Sequence, residues 1–400
     1  MPQSTIVHEA LLDDLAQQAG LDRLELRRRN AIRAGQATAT GQVLRDSVGL
    51  AECLERLAPA WAAAQAAAVQ FNAAQPGTGG RRRGAGIACM LYGIGNTVIA
   101  NPSTMRVGIR RTGRVCLYNG AMDIGQGSST ILPQICADAL GLPVGLFDQV
   151  VGDTDRTEDA GKSSASRQTF VSGNAARIAG AQLRGRLRAL LGAPEDAMLS
   201  VEGSLLLARA AARTWELDLA GLPADANGDV VTGTGYFDPP TTPLDADGQG
   251  VPYASYGFAA QFAEVEVDLA LGTVKVLSVH AAHDVGRAIN PTQVEGQIHG
   301  GIAQGLGLAL MEEYVPGRTD NLHDYLIPTV GDVPPIVVHI VEDPEPLGPY
   351  GAKGVGEPAL IPTAPAILGA IRHATGVRVT HVPVTQDRLR AAIVELQRKT

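Results

Sequence analysis

Apolar residues recur at helical spacing at the start of the chain. Leu11, Leu12, Leu15 and Ala16 share one face, Gly20 stops that run, and residues 24–32 predict a second short helix ending near Gly35. Residues 50–75 predict a long Ala-rich helix with Leu50, Cys53, Leu54 and Leu57 along one stripe, closed by Pro76-Gly77. From Gly84 the period changes to that of strands. Residues 105–110 and 115–119 alternate around Thr112-Gly113, which predicts a hairpin, and an amphipathic helix over 130–140 ends at Gly141. A strand over 147–151, a polar loop over 152–169 and a long helix from Gly173 to about Leu191 complete this first round.

A second round begins near Phe258. Residues 260–269 and 273–282 alternate around Leu271-Gly272, a loop follows from Asp284 to Asn290, and Pro291 opens a helix running to about Leu310. Hairpin, loop and helix thus occur twice, although no repeat of individual residues is visible. The pattern predicts an α+β protein of two similar α/β lobes. Residues 1–80 would form an N-terminal helical segment and linker. Residues 81–255 would form the first lobe, with 194–255, rich in Gly, Asp and Pro, as an extended connection. Residues 256–400 would form the second lobe.

Composition narrows the function. A chain of 400 residues with 45% hydrophobic and 18% charged residues can bury a large core. The net charge of −8 and 4% aromatics argue against nucleic-acid binding, which needs a basic face or stacking platforms. No run approaches the length of an apolar membrane span, and the N-terminus has no basic region followed by an apolar run, so a cytoplasmic protein is expected. Cys53, Cys89, Cys116 and Cys136 are widely separated, so neither a side-chain metal site nor a disulfide framework is expected. The one basic run, Arg81-Arg82-Arg83, reads as a solvated connector or a contact for an acidic group. The 47 glycines and 24 prolines demand many turns or close backbone approaches, and the chemistry is sought there.

Three glycine-flanked segments qualify. Asp123-Ile124-Gly125-Gln126-Gly127-Ser128 joins a strand to a helix, where backbone N–H groups and the helix end attract anions. It is neither GxGxxG nor a Walker P-loop. Gly161-Lys162-Ser163-Ser164-Ala165-Ser166-Arg167-Gln168-Thr169 carries hydroxyls, a guanidinium and an amide before a helix, a set suited to phosphates and a polar heterocycle. In Gly351-Ala352-Lys353-Gly354-Val355-Gly356-Glu357-Pro358, Glu357 stands in a glycine-framed, apolar setting that disfavours its charged form and suits a general base. A loop carboxylate capping the next helix is the plainer alternative. Gln297 and Gln304 lie on the 291–310 helix with Gly296, Gly300, Gly301, Gly305 and Gly307. That many glycines cost helix stability, about 1 kcal/mol each, and imply close packing or a bulky cofactor.

Together these segments resemble the second molybdopterin-binding domain of the molybdenum hydroxylases, the xanthine dehydrogenase and aldehyde oxidase family. The resemblance is carried in order by Gly125-Gln126-Gly127, Ser164-Ala165-Ser166-Arg167, Gly296-Gln297 with Gln304-Gly305-Leu306-Gly307, and Gly354-Val355-Gly356-Glu357-Pro358. At the N-terminus Pro2-Gln3, Leu26-Arg27-Arg28-Arg29-Asn30 and Thr40-Gly41-Gln42 fit as well. The resemblance implies that Glu357 is the active-site glutamate of a hydroxylase acting on an N-heteroaromatic compound or an aldehyde. In that family's mechanism it deprotonates a molybdenum-bound hydroxide, so that water supplies the oxygen. It also implies a molybdopterin with molybdenum, in bacteria commonly in the cytosine dinucleotide form, with the metal held by the pterin. Gln126, Gly127, Ser164, Ala165, Ser166, Arg167, Gln168, Thr169, Gln297, Lys353 and Gly354 match positions around that cofactor. Asn96 and Thr97 match the substrate pocket.

Two departures qualify the resemblance. The first half of the family's large chain is missing before Pro2-Gln3, which implies a partner subunit carrying that half, as in nicotinate-dehydrogenase-like enzymes. A [2Fe–2S] subunit and a FAD subunit are implied as further partners. In Tyr92-Gly93-Ile94-Gly95-Asn96-Thr97, Asn96 stands where purine hydroxylases carry an aromatic, which argues against xanthine as the substrate. The rival readings are a non-catalytic assembly or cofactor-insertion subunit and an unrelated nucleotide-binding α+β protein.

Overall fold

The computed structural model describes residues 1–75, 80–95, 100–211 and 213–399. Two four-stranded sheets organise the chain. In the first, strand β1 (Arg81–Gly93) pairs antiparallel with β9 (Tyr256–Asp268), β9 pairs antiparallel with β10 (Thr273–Asp284), and β11 (Ile336–Val341) lies parallel to β10. In the second, β8 (Asp229–Phe237) and β3 (Val115–Asn119) flank β2 (Ser103–Arg110) antiparallel, and β4 (Phe147–Val151) lies parallel to β3.

The two sheets share one plan. Hairpin β2–β3, helix α4 (Ser128–Leu140), β4 and helix α5 (Gly173–Leu191) correspond to hairpin β9–β10, helix α6 (Pro291–Leu310), β11 and helix α7 (Thr363–Thr375). The predicted pair of similar lobes is present as topology.

Side-chain alternation builds the cores. On β9, Phe258, Ala260 and Phe262 face helix α3 (Leu50–Ala73), and Ala263, Val265 and Val267 face α6 and α7. The first sheet is therefore covered on both sides. Helices α1 (Pro2–Gln18) and α2 (Arg23–Asn30) are locked together by the buried Arg27 guanidinium, which donates to Glu9 at 2.7 Å and Asp13 at 2.9 Å. In the second sheet α4 and α5 cover one face. Gly233 and Gly235 of β8 meet the backbone of α5 so closely that a side chain at either would overlap it.

Two expectations need correction. Strand β1 does not open the first lobe, because it pairs along its whole length with β9, so residues 81–255 are not one contiguous unit. The reason is its small-residue face. A Cβ on Gly84 or Gly86 would collide with the backbone of α7, and that fit belongs to the second lobe. Residues 194–255 are not a plain extended connection either. They contain the meander β5 (Met198–Glu202), β6 (Leu205–Ala210) and β7 (Arg213–Asp218), and then β8. Leu199, Leu206 and Ala208 of the meander are buried against the first-lobe core. The C-terminal helix α8 (Gln386–Lys399) buries Leu389 and Ile393. Among the described residues no helix is long and apolar enough to cross a membrane.

The β1–α7 contact makes a test. In Gly86→Val the new side chain has no space between strand and helix, and stability falls by about 3 kcal/mol, read as a lower urea midpoint by near-ultraviolet dichroism.

Candidate functional site

The shared plan places four loops, each leading from a strand to a helix, around one cavity of about 430 Å³. The β3–α4 and β4–α5 loops come from one sheet, and the β10–α6 and β11–α7 loops from the other. Residues of all three glycine-flanked segments line it, together with one side of α6.

Glu357 sits on the cavity wall with both carboxylate oxygens engaged. The Ala165 N–H donates to Oε1 at 2.8 Å and the Ser166 hydroxyl donates to Oε2. The Glu357 N–H in turn donates to Ser166 Oγ at 2.9 Å. These donors are aimed by an uncommon backbone, since Ala165 and Ser166 hold φ of +56° and +53°, in the left-handed region that costs a residue with a Cβ. The facing loop can reach them because residue 354 is glycine, and a Cβ there would overlap the Ser166 carbonyl oxygen. The expectation of an apolar setting for Glu357 is corrected here, since paired donors hold its carboxylate.

The remaining predicted residues divide into two groups. Ser164, Gln168, Thr169, Gln297 and Gln304 line the cavity. Gln168 begins a π-helical turn over Gln168–Ser172, a distortion frequent at functional sites. Gly300 also lines the cavity, and neither it nor Gly296 has a neighbour within 4 Å of a built Cβ, whereas Gly301 and Gly305 pack against Ala359 and Thr363. The glycines of α6 thus serve helix packing on one side and leave the other open.

Arg167, Lys353 and Gln126 reach the cavity but are engaged elsewhere. The Arg167 guanidinium is fully buried and donates to the carbonyls of Ala160 at 2.5 Å, Lys162 at 3.3 Å, Asn101 at 3.0 Å and Pro102 at 2.7 Å. Burial pulls its pKa below the usual arginine value. It clamps the 160–167 loop. The Lys353 ammonium donates to Asp284 Oδ2 at 2.6 Å and to the Ser47 carbonyl at 2.9 Å, with both side chains fully buried. Burial raises the Asp284 pKa, against the pull of Lys353. Gln126 bonds within its own loop, to Ile124, Met122 and Ser128.

The N-terminus of α4 is likewise already served. Asp123 accepts from the N–H groups of Gly125 at 2.9 Å, Gly127 at 3.2 Å and Ser129 at 2.9 Å. Burial alone would raise the Asp123 pKa, but these donors prevail and hold it below the ordinary value. The expected anion site at this helix end is therefore occupied by the loop's own carboxylate. Gly127 packs on Gln293, whose amide oxygen would lie 2.8 Å from a Cβ there. Asn96 and Thr97, the expected substrate-pocket residues, lie outside the described residues.

The sequence reading did not single out Arg287, Asn290 and Gln293, which also line the cavity. Arg287 is exposed. Gln293 Oε1 is buried without a hydrogen-bond partner. Their signal was position alone: they occupy the β10–α6 loop and first helical turn, the counterpart of the glycine loop before α4. No group of three or more His, Cys, Asp or Glu side chains suited to a metal occurs among the described residues.

Comparison with known proteins agrees with this architecture. Residues 56–334 match the molybdopterin cofactor-binding domain family. The chain is 33% identical to a putative xanthine dehydrogenase molybdenum-binding subunit of Escherichia coli (strain K12), across 97% of this chain and 52% of that one. The chain thus spans about half the length of the curated relatives it matches. Among solved structures, the aldehyde oxidoreductase of Desulfovibrio desulfuricans is 31% identical with a TM-score of 0.83, over 98% of this chain and 40% of the other. Quinoline 2-oxidoreductase of Pseudomonas putida 86 is 29% identical with a TM-score of 0.78, over 98% and 52%.

The buried Lys353–Asp284 pair anchors the loop that carries Glu357. Lys353→Met leaves Asp284 without its partner and costs about 3–5 kcal/mol in urea unfolding, and Lys353→Met with Asp284→Leu recovers most of that loss.

Proposed function

The chain belongs to the molybdopterin cofactor-binding domain family, in its xanthine dehydrogenase and aldehyde oxidase branch, and on that premise we propose that it is the catalytic half of a molybdenum hydroxylase. The reaction hydroxylates a carbon of an N-heteroaromatic compound or an aldehyde, with water as the oxygen source. The observation that carries this reading is Glu357, a carboxylate on the wall of a cavity, held at both oxygens by a strained turn of the facing lobe.

The lining fits a pterin. Gln293, Gln297 and Gln304 offer amides, each able to donate and accept, as a ring with mixed donor and acceptor edges requires, while the Gln168 amide is held by Lys162, Ser163 and Ser172. The buried, unpartnered Gln293 Oε1 is one such acceptor lacking a donor. Ile131, Val285, Ile289, Val294 and Leu360 supply apolar walls. Arg167 and Lys353 hold the loops in place, and Arg287, exposed at the cavity, is the cation placed to meet a phosphate.

When bound, molybdopterin supplies a molybdenum centre that accepts two electrons as oxygen is transferred to substrate. The chain's own part is proton handling and placement. Glu357 takes up a proton from the water that provides the oxygen. The Ala165 N–H and Ser166 hydroxyl fix its direction at the cavity wall.

A first-half partner subunit, a [2Fe–2S] subunit, a FAD subunit and the cytosine dinucleotide form of the cofactor are carried into this proposal by the family resemblance. The substrate class takes support from the aldehyde oxidoreductase and quinoline 2-oxidoreductase likenesses.

In the assembled complex, Glu357→Gln lowers turnover by a factor of about 10²–10⁴ and leaves molybdenum and pterin content unchanged by metal analysis. Loss of the metal instead would assign Glu357 to holding the cofactor. Arg287→Ala lowers the pterin content of the purified complex, measured by fluorescence of the oxidised pterin, with the thermal midpoint unchanged.

A further inference from the structure

Gln261 is an amide on a sheet face that is otherwise apolar. It stands on β9 beside Ala263, Val265 and Val267, on the side that packs against α6 and α7, and it is fully buried. An unbonded amide there would cost stability, so its hydrogen bonds account for its presence. Its Oε1 accepts from the Thr363 hydroxyl at 2.6 Å, and its Nε2 donates to the Ala359 carbonyl at 2.8 Å. The same Nε2 lies 2.9 Å from Nε2 of His283, on the neighbouring strand β10.

These contacts fix the sense of the amide. The Ala359 carbonyl can only accept, so the Gln261 NH2 group must face it and the amide oxygen must face Thr363. The second N–H then points to His283 Nε2, which accepts as a bare ring nitrogen with the ring proton on Nδ1. Burial pulls the His283 pKa down to about 3, so the ring is uncharged and stays an acceptor.

What Gln261 holds is the turn that carries Glu357. Ala359 follows Glu357 by two residues, and Thr363 opens α7. The same two residues are pressed from the side by α6, whose Gly301 and Gly305 leave no space for a Cβ against them. On the other side of Glu357, Asp284 pins Lys353. His283 and Asp284, the last two residues of β10, thus fasten the chain on both sides of Glu357, one through Gln261 and the other directly.

We propose that Gln261 is a positioning residue for Glu357: its amide, oriented by His283, ties the turn after the glutamate to β9 and so sets where the carboxylate meets the cavity. This rests on Glu357 serving as the base. Ala165 and Ser166 hold the carboxylate from the facing lobe, and Gln261 holds the backbone behind it. A reacting group displaced by about 1 Å loses up to about 10²-fold in rate.

Gln261→Met keeps the length of the side chain and removes its hydrogen bonds. In the assembled complex, kcat per molybdenum falls by a factor of about 10–10², with KM and molybdenum content unchanged. In a Glu357→Gln background the same change costs nothing further, because the two residues act through one group. Independently of turnover, hydrogen exchange quickens across residues 357–363 and not across α4. Should Gln261→Met not fold, Thr363→Val, which keeps the shape and takes away one donor, moves the same readouts in the same direction by a smaller factor. Native kcat per molybdenum, a further loss in the Glu357→Gln background, or exchange quickened along the whole chain would overturn the proposal. Full turnover in Glu357→Gln would instead sink the base reading, and exchange across residues 357–363 would still decide whether Gln261 holds the turn.

Discussion

The Ser166 carbonyl and Gly354 meet backbone to backbone, with no space for even a methyl group between them. The candidate site depends on this contact. It brings the β11–α7 loop close enough for Glu357 to receive the Ala165 N–H and the Ser166 hydroxyl. It also accounts for the left-handed conformations of Ala165 and Ser166, which turn one donor after the other toward the same carboxylate. The strain is sustained by anchors on both sides. Arg167 binds four carbonyls of its own surroundings, and Lys353 is pinned between Asp284 and Ser47. Buried cations here act as fasteners for loops.

The doubled plan explains why the loops converge. Each lobe contributes two strand-to-helix connections, so a pocket arises where equivalent ends of the two sheets face one another, the usual place for ligands in layered α/β structures. The lobes are alike in topology but not in chemistry. The loop before α4 closes on itself through Asp123, whereas its counterpart before α6 leaves Arg287 and Gln293 facing the cavity. One copy of the plan supplies rigid geometry and the other supplies open polar groups.

Much of this was legible in the sequence because local rules decide it. The two hairpins, α4, α5 and α6 follow from alternation, helical spacing and their punctuating Gly and Pro residues. The glycine-flanked segments were picked out by composition alone, and the fold brings them together around one cavity. What the sequence could not disclose were partners distant along the chain. Arg167 and Lys353 carry the charge of phosphate ligands, and only the fold shows Asn101, Pro102, Ser47 and Asp284 beside them. Strand β1 was misplaced because its small residues give a weak pattern, and their purpose is the α7 backbone more than 250 residues later. The β5–β7 meander was hidden by short strands with mixed faces among many turn residues.

The pairing of β1 with β9 has a consequence for the order of assembly. The sheet built on β2, β3, β4 and β8 lies wholly between those two strands in the chain, so it is a guest inserted in a host. The guest's contacts are the more local, and its loop-closure entropy is correspondingly smaller. It can condense first and, by drawing its own ends together, shorten the effective span that β1 and β9 must bridge. The cavity lies at the border of guest and host, so neither sheet alone can form it and it is complete only when both are in place.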